Sequence, residues 1–476
     1  MVEIKDIIEQ NPWWRNKNWA EHDKSLATLK NSLFKIERKK PTKLNNVNFI
    51  YGTRQVGKTT LMKLMIEKLI KKVSGDKIAY FSCDVLLTNK REELRKAINY
   101  LLEKNLEYLF IDEISNVNEW GYEIKYFIDS GKFGNLKVFI TGSPFGIKEH
   151  MPGRKINNFY LMPISFREFL MNLPANLNRE VTTALNLKQS EVEEIKQLPM
   201  VLSRGCNSLK EINKEIKNIE AYSSLIEKLF SFYALNGGFP SIINSFIKYK
   251  VEKNKMALVE EIKTNKERLI DSLRKTGKNE SICFQLINSI KKRVSSRYSF
   301  TQLKETEIDL SKETIINYIT HLKDIFLLKI LYSYDFGKME IGLKKDKKIY
   351  LIDPFLYHEE RIFEEEKILY DEEYLSKIVE SITAINLSYL KEDILNPLES
   401  FLFFWYGTKE IDFVLKEKSF IGIEVKYREK IECFEQIDQI KDYIVLTKNM
   451  LRLEGKISFI PVFLFLALLK NNDNYL

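Results

Sequence analysis

The segment that most constrains the fold of this chain is a loop that begins at Gly52 and has a second glycine at Gly57. It matches the phosphate-binding loop pattern Gly-x-x-x-x-Gly-Lys-[Ser/Thr] without mismatch. The matching residues, together with the threonine that follows them, are Gly52, Thr53, Arg54, Gln55, Val56, Gly57, Lys58, Thr59 and Thr60. An apolar strand precedes the loop and a helix over 61–71 follows it, which is the context that this pattern requires.

The chemistry of this loop follows from its glycines and from its position before a helix. Glycines let the backbone fold around an anion so that several N–H groups point inward, and the helix N-terminus adds partial positive charge. We therefore expect a nucleoside triphosphate with Mg²⁺, with Lys58 at the β and γ phosphates and Thr59 at the metal. The loop alone does not distinguish ATP from GTP.

A second element is an apolar strand that ends in two carboxylates, Asp112 and Glu113. In nucleotide sites of this kind the aspartate holds the metal, and the adjacent glutamate polarises the attacking water. The alternative is a strand that happens to end in acidic residues, but the phosphate-binding loop upstream argues against it. The pair therefore predicts hydrolysis as well as binding, with Glu113 as the catalytic base.

The next strand supplies a third element. Thr141 or Ser143 is expected to lie between the loop and the acidic strand and to sense the γ-phosphate. Arg154 is a candidate arginine finger, acting in the same chain or from a neighbouring one. For Arg154 a solvated loop charge is the alternative, and both interpretations stay open.

The order of apolar and helical patterns predicts an α/β fold with several parts. Between 46 and 165, apolar runs alternate with helical stretches, which indicates a parallel sheet covered by helices on both faces. The runs are 47–51, 77–82, 106–112, 136–141 and 159–164. We expect a P-loop ATPase core with an N-terminal arm at 1–165, a helical lid at 166–280, a winged helix-turn-helix at 281–355 and a nuclease-like domain at 356–476.

The winged helix is predicted from three short helices, the last beginning after Ser311, and from two strands over 328–334 and 348–352. Its recognition helix over 312–323 is expected to present five side chains outward: Lys312, Glu313, Asn317, Thr320 and His321. The basic run 344–348 fits a wing that contacts phosphates, or a solvated turn. Packing against the ATPase core is the alternative to DNA contact for this part.

A second polar constellation lies in the C-terminal region. Asp412 is on one strand, and Glu424 and Lys426 are two residues apart on the next, so they share a face. Two carboxylates on adjacent strands can bind a divalent cation, and the lysine can stabilise developing charge on a phosphate. Glu380 on the preceding helix would complete the set. This group resembles the PD-(D/E)xK nuclease core, with Ile411 where proline often stands; a solvated charged face, or a domain that no longer cuts, is the alternative.

Most of the chain resembles an archaeal and bacterial family of AAA+-type ATPases. The motifs that carry the resemblance are Asn-Pro-Trp-Trp at 11–14, the loop at 52–60, Thr-Gly-Ser at 141–143, 163–170 and Gly-Gly-Phe-Pro at 237–240. The resemblance implies ATP rather than GTP, a catalytic glutamate matched by Glu113, and a winged helix and nuclease-like domain after the ATPase core.

Composition excludes several other classes. The four cysteines are far apart and do not cluster with the four histidines, so neither a zinc site nor a disulfide framework is expected. The N-terminus has no apolar signal core, and the longest apolar run, 457–469, is too short to span a bilayer. That run predicts a buried strand leading into a short helix. We expect a cytoplasmic protein with no membrane partner.

Three hypotheses for the function follow. The first is an ATPase that acts on or with DNA, with ATP and Mg²⁺ as cofactors and with DNA and further copies of the chain as partners. The net charge of +9 is compatible with nucleic-acid contact. The second is a STAND-like signalling switch that recruits a protein partner and has an inactive C-terminal domain. The third is a nucleotide-binding scaffold that only grips nucleic acid.

Overall fold

The computed structural model describes residues 4–86, 88, 90–142, 156–206, 208–275, 277–300, 302, 310–391, 400–428 and 436–476. These residues form two compact units, 1–162 with 473–476 and 163–472. The predicted parts 166–280, 281–355 and 356–476 therefore lie in the second unit, apart from the last four residues. As separate domains they remain predictions.

The first unit is built on a parallel sheet. Its strands within the described residues are β1 (Val47–Tyr51), β2 (Ile78–Ser82), β3 (Tyr108–Asp112), β4 (Lys137–Gly142) and β5 (Ile156–Tyr160). They are ordered β2-β3-β4-β1-β5, and every pairing is parallel. The predicted parallel sheet is confirmed. All five residues of β1 are buried, as expected for a strand that is covered on both faces.

The last strand of this sheet differs from its prediction. The apolar run 159–164 suggested its position, but β5 begins at Ile156 and ends at Tyr160. Its first three residues include two asparagines and are only partly buried, because β5 pairs with β1 on one side and lies at the end of the strand order. Beyond it the tail adds one parallel bridge, between Tyr160 and Tyr475. Polar positions on an edge strand leave no apolar signal.

Helices flank the strands in sequence. In the described part of this unit they are α1 (Ile4–Glu9), α2 (Trp19–His22), α3 (Lys24–Lys30), α4 (Lys58–Ile70), α5 (Arg91–Leu102) and α6 (Trp120–Asp129). The N-terminal arm is fastened to β2, since the indoles of Trp13 and Trp14 both donate to the carbonyl of Ile78 at 2.9 Å. Ile78 begins β2, so the tryptophan pair lies at the end of the parallel sheet away from the phosphate-binding loop.

The second unit begins with helices and ends as a mixed sheet. Its described helices are α7 (Phe166–Asn172), α8 (Arg179–Ala184), α9 (Gln189–Val201), α10 (Leu209–Ile219), α11 (Ser223–Asn236), α12 (Pro240–Glu252), α13 (Lys255–Lys275), α14 (Glu280–Lys292), α15 (Lys312–Asp324), α16 (Phe355–His358), α17 (Glu365–Tyr370), α18 (Glu372–Lys391) and α19 (Val462–Leu468). A 3-10 turn at Glu220–Tyr222 separates α10 from α11.

The turn between α11 and α12 needs glycine. Gly237 has φ +66°, and a Cβ there would lie 1.7 Å from Oδ1 of Asp353. The backbone N–H of Gly238 donates to the other oxygen of Asp353 at 2.7 Å. Pro240 then begins α12, where its missing N–H costs nothing. The motif at 237–240 is thus a helix–helix turn held by a buried carboxylate.

The second sheet contains both predicted C-terminal parts. Its strands in the described residues are β6 (Arg297–Tyr298), β7 (Leu328–Asp335), β8 (Glu340–Leu351), β9 (Leu402–Tyr406), β10 (Glu410–Lys416), β11 (Phe420–Lys426), β12 (Asp442–Thr447), β13 (Arg452–Glu454) and β14 (Ile457–Pro461). The order is β13-β14-β12-β11-β10-β9-β7-β8-β6. The hairpin β7–β8 joins the later strands through one parallel pair, Ser333 with Phe404.

Several predictions for this unit are confirmed and two details are wrong. Ser311 caps α15 by accepting from the N–H of Thr314 at 3.1 Å, and β14 leads directly into α19, as predicted. His321 does not point outward; it is 3% exposed, and burial lowers its pKa to about 4. The second of the three short helices predicted for the winged helix falls largely outside the described residues.

The basic run 344–348 is the second wrong detail. It forms neither a wing nor a turn along its whole length, because Lys347 and Lys348 lie inside β8 and are buried. The turn of the hairpin is at 336–339 instead. Across the described parts of the chain, no helix is long and apolar enough to cross a membrane.

Candidate nucleotide site and C-terminal carboxylate cluster

The loop between β1 and α4 adopts backbone conformations that its glycines permit. Gly57 has φ +94°, and Gln55 also has a positive φ of 66°. A Cβ on Gly52 would lie 2.0 Å from the carbonyl oxygen of Leu161, so only glycine fits there. The loop is therefore a tight backbone turn that ends where α4 begins, at Lys58.

Lys58 is held inside this turn. Its ammonium group donates to the carbonyls of Gly52 at 3.2 Å and Thr53 at 2.9 Å. The side chain is 6% exposed, and its Nζ lies 3.9 Å from Oε1 of Glu113. The lysine thus connects the loop with the acidic strand β3.

Asp112 is the most heavily bonded residue of the site and is buried. One carboxylate oxygen, Oδ2, accepts from the hydroxyl of Thr59 at 2.6 Å and from the phenol of Tyr80 at 2.7 Å. The other, Oδ1, accepts from the hydroxyl of Thr141 and from the backbone N–H of Glu113, the latter at 3.1 Å. Four donors from four places in the chain therefore fix this carboxylate in one orientation.

Glu113 and Thr141 share a contact. Glu113 has φ 52° and ψ 42°, and its N–H donates to the hydroxyl of Thr141 at 3.0 Å. Thr141 lies at the end of β4, between β1 and β3, which is the place that the sequence predicted. Its hydroxyl is bonded to the acidic pair, so its present partner is Asp112; the sensing of a γ-phosphate remains a prediction. Ser143 and Arg154 lie outside the described residues.

Sequence reasoning missed Tyr80 and the lysine beneath it. The ammonium of Lys63 lies 3.7 Å from the centre of the Tyr80 ring and 5.2 Å from that of Trp13. It also forms an ion pair with Asp23 at 3.6 Å. Burial lowers the pKa of Lys63, while Asp23 and Asp112 act in the opposite direction. A tyrosine in an apolar strand gave no signal of this role.

The C-terminal residues predicted as a site do come together. The N–H of Val425, next to Glu424, donates to Oδ2 of Asp412 at 2.9 Å, and Lys426 forms an ion pair with Glu424 at 3.0 Å. Glu380 projects from α18 and is buried. In the described residues, no group of three or more histidine, cysteine, aspartate or glutamate side chains has an arrangement that could hold a metal ion.

An unpredicted lysine joins this cluster. The Nζ of Lys348 lies 3.0 Å from Oε1 of Glu380, 3.0 Å from Oδ1 of Asp412 and 2.5 Å from Oε1 of Glu410. The phenol of Tyr350, on the same strand, donates to the same oxygen of Glu380 at 2.7 Å. From the sequence, Lys348 was predicted to belong to an exposed wing or a solvated turn, so its place in this cluster was not predicted.

The cluster perturbs its own ionisation. Burial raises the pKa of Glu380 to about 7 against the opposing effect of Lys348. Burial, together with the charge of Asp412, raises the pKa of Glu424 to about 9. Burial also acts to raise the pKa of Asp412, but Lys348 and Lys426 outweigh it, so that this pKa is lowered. Of these three carboxylates, Asp412 is the one whose ionised form is favoured by its surroundings.

Comparison with protein families adds to this geometry. Residues 44–170 match a family model described as an AAA domain, and residues 227–366 match a domain of unknown function, DUF8612. The first match covers the phosphate-binding loop, the acidic pair and Thr141, and supports a nucleotide-binding ATPase. The second crosses the predicted boundaries at 280 and 355.

The curated relatives carry no assigned function. MJ1637 and MJ1544, two uncharacterized proteins of Methanocaldococcus jannaschii, are 26% and 25% identical over 313 and 320 residues. The alignments cover 63% and 65% of this chain and 59% and 61% of those proteins. The chain thus spans about three fifths of the length of the curated relatives it matches.

Similarity to solved structures is weak. The ORC1 protein of Aeropyrum pernix in complex with DNA has a TM-score of 0.31 at 11% identity, over 78% of this chain and 94% of that one. A RuvB variant of Thermotoga maritima has a TM-score of 0.25 at 14% identity, over 69% and 89%. Scores this low establish neither a common fold nor a function.

Proposed function

We propose that this protein is a Mg²⁺-dependent ATPase. The observation that carries the proposal is the hydrogen bond of 2.6 Å between Thr59 of the loop and Asp112 of the acidic strand. It brings together two oxygen donors of the kind that Mg²⁺ prefers, beside the buried ammonium of Lys58. Sequence pattern, AAA-domain match and side-chain geometry all support the same assignment.

The residues of the loop fit a nucleotide. The hydroxyl of Thr53 and both polar side-chain atoms of Gln55 are buried without a hydrogen-bond partner among the described residues. Unsatisfied polar atoms at such a turn are costly unless a polar ligand completes them. Gly52 leaves no room for a Cβ, and Gly57 has a positive φ. Together they would let the backbone N–H groups of the loop approach the phosphates.

Each residue then has a stated role. When bound, ATP supplies the γ-phosphoryl group, and Mg²⁺ neutralises part of its charge. Thr59 and Asp112 would hold the metal, and Lys58 would leave its two carbonyl partners for the phosphates. Glu113 would orient the attacking water and accept its proton. The hydroxyl of Thr141 would hold Asp112 and Glu113 in place, because it is bonded to both residues. Arg154 remains the proposed arginine finger, and Ser143 a second proposed sensor.

Turnover by three variants tests this proposal. Lys58→Ala removes the phosphate-binding ammonium, and Glu113→Gln keeps the shape of the side chain but removes the base. We expect both to lose most ATP hydrolysis, and Glu113→Gln to keep ATP binding. Lys68→Ala is the control, because it removes an exposed lysine from the same helix. Equal hydrolysis by the wild type and Lys58→Ala would refute the assignment.

The proposed action is on or with DNA. Four of the side chains predicted to face outward from α15 are exposed or half-exposed at its surface, and Lys312, Asn317 and Thr320 among them suit contacts with phosphates or base edges. In this proposal 281–355 is a winged helix, 166–280 a helical lid and 356–476 a nuclease-like domain. Assembly into a homo-oligomer is part of the same proposal, and it would be required if Arg154 acts from a neighbouring copy instead of within the same chain.

Binding of duplex DNA at low salt tests this step. We expect Lys312→Ala to weaken binding and to lower the salt dependence by about one counterion. Lys248→Ala, which removes an exposed lysine from α12, is the matched control. Duplex DNA should also change the rate of ATP turnover in the wild type.

The signalling switch is the second candidate, and one observation favours it. Lys347 and Lys348 are buried, which withdraws half of the lysines in the run 344–348 from any contact with phosphates. If duplex DNA at low salt neither binds nor alters turnover, while ATP hydrolysis is slow but real, the switch replaces the DNA-acting ATPase.

A further inference from the structure

The C-terminal cluster contains a cation that belongs to the chain itself. The resemblance to PD-(D/E)xK nucleases implies a divalent metal at Asp412 and Glu424. Such a metal needs carboxylate oxygens with free lone pairs, close around a shared point. Whether the cluster provides them depends on what the oxygens already bind.

The ammonium of Lys348 is saturated by the cluster. It has three N–H donors, and three carboxylate oxygens lie within 3.0 Å of it, from Glu380, Glu410 and Asp412. The side chain is fully buried, and its nitrogen lies 5.9 Å from the centre of the Phe404 ring. Lys348 therefore has no contact with solvent; it donates hydrogen bonds to Glu380 and Asp412 and forms an ion pair with Glu410.

The other oxygen of Asp412 is also engaged, whereas those of Glu424 accept no hydrogen bond among the described residues. Oδ2 of Asp412 accepts from the backbone N–H of Val425 at 2.9 Å. Oε2 of Glu424 lies 3.0 Å from the ammonium of Lys426, which is its ion-pair partner. A metal at Asp412 would compete with the N–H of Val425 for one oxygen, and with a buried ammonium for the other. Asp412 is therefore already bound by Lys348, and a divalent metal fits at Oδ1 of Asp412 only if Lys348 leaves.

Lys348 comes from a different part of the chain than the nuclease-like motif. It lies on β8, in the hairpin that precedes the motif, while Glu380 is on α18 and Glu410 and Asp412 are on β10. The sheet itself connects the hairpin to the later strands by a single residue pair. The ammonium thus adds an electrostatic connection between the hairpin, the helix and the strand.

We propose that Lys348 is the resident cation of this cluster: its ammonium takes the place of the divalent metal and fastens the hairpin β7–β8 to the nuclease-like core. The C-terminal region is then a structural and interaction module that does not cut nucleic acid with a metal. This inference does not depend on ATP hydrolysis, and the two can fail separately.

Binding of Mn²⁺ by the nucleotide-free full chain tests the proposal, with free Mn²⁺ measured by electron paramagnetic resonance. The wild type and Asp412→Asn should bind Mn²⁺ equally, because Asp412 is already occupied. Lys348→Met removes the ammonium and keeps a long side chain, so it should bind Mn²⁺ at least about tenfold more tightly than the wild type. Adding Asp412→Asn to Lys348→Met should abolish that gain. Lys344→Met, an exposed lysine on the same strand, is the matched control and should change nothing.

Three results would overturn the proposal. The first is Mn²⁺ binding by the wild type that Asp412→Asn abolishes. The second is cleavage of DNA or RNA by the wild type with Mn²⁺ that Asp412→Asn abolishes. The third is a folded Lys348→Met protein that gains no Mn²⁺ affinity. If Lys348→Met does not fold, the comparison of the wild type with Asp412→Asn still decides. If Lys348→Met folds, a melting temperature that rises with added Mn²⁺ would support the proposal.

Discussion

Tyr80 is expected to position the metal-holding carboxylate, and Tyr80→Phe is the change that tests it. The substitution removes the phenol oxygen of Tyr80, which lies 2.7 Å from Oδ2 of Asp112. The ring stays, so its contact with the ammonium of Lys63 at 3.7 Å is preserved. Burial, reinforced by the charge of Asp112, raises the pKa of Tyr80 far above its ordinary range, so the phenol keeps its proton. It can only donate to the carboxylate.

The magnitude follows from the kind of bond that is lost. A hydrogen bond to a charged group contributes about 1.5–3 kcal/mol. Outer partners of metal ligands are commonly worth about 10- to 100-fold in metal affinity, which is the same range when 1.4 kcal/mol is taken as tenfold. Asp112 keeps three donors, from Thr59, Thr141 and Glu113, so we expect the low end, about tenfold.

The assay is ATP turnover as a function of free Mg²⁺. We expect Tyr80→Phe to raise the half-saturating Mg²⁺ concentration about tenfold and to leave the rate at saturating Mg²⁺ almost unchanged. Tyr108→Phe is the control, since it removes a hydroxyl from the other end of β3. A Tyr80→Phe protein that is folded, and whose Mg²⁺ dependence equals that of the wild type, would refute the reasoning. A fall in melting temperature alone would show a purely structural role.

Two further predictions concern stability. His358 is buried against the carbonyl of Leu235 at 2.7 Å, and burial lowers its pKa to about 4. The unfolded chain takes up this proton near pH 6.5, whereas the folded chain takes it up only near pH 4. As the pH falls from 6.5 to 4, the free energy of unfolding of the wild type should therefore decrease by about 3 kcal/mol more than that of His358→Gln, as measured by urea unfolding. Gly237→Ala should lower the free energy of unfolding by several kcal/mol more than Gly277→Ala. Both glycines have a positive φ, but a Cβ at 237 would lie 1.7 Å from Asp353, whereas a Cβ at 277 would meet nothing described within 4 Å. Equal losses of stability in urea unfolding would show that backbone strain alone matters.

The nucleotide site was predictable where its residues are close in sequence. The loop before α4 and the carboxylates at the end of β3 each form a local pattern, and parallel pairing then brings the carboxyl ends of strands to one edge of the sheet. Tyr80 has no such pattern. It pairs with Phe110 while Asp112 pairs with Ser82, so the two side chains are diagonal neighbours on one face. Only the register of β2 against β3 reveals the contact.

The misplacement of the basic run has a similar cause. Residues 344–348 look uniform in sequence, but the pairing of β7 with β8 changes register between Tyr332 and Ser333. Lys347 pairs with Tyr332, whereas Ser333 pairs with Gly342. Residues 343–346 therefore have no paired residue on β7 and form a bulge in β8. Lys344 and Lys345 are therefore exposed, and Lys347 and Lys348 are inside the sheet. A bulge of this kind depends on the partner strand and has no signal in the run itself.

The same bulge changes what the C-terminal motif implies. A nuclease motif specifies which residue types share a face, and Asp412, Glu424 and Lys426 meet that requirement through adjacent strands alone. It does not specify what else binds Asp412, because Lys348 reaches Asp412 from a hairpin that lies outside the motif. Carboxylates of this pattern bind a metal when the space is open and bind an ammonium when a buried lysine reaches it. If Lys348 is the resident cation, as we propose, the activity of the C-terminal region depends on a residue whose position is set by strand register. A motif match without that register cannot distinguish a nuclease from a domain held together by its own cation.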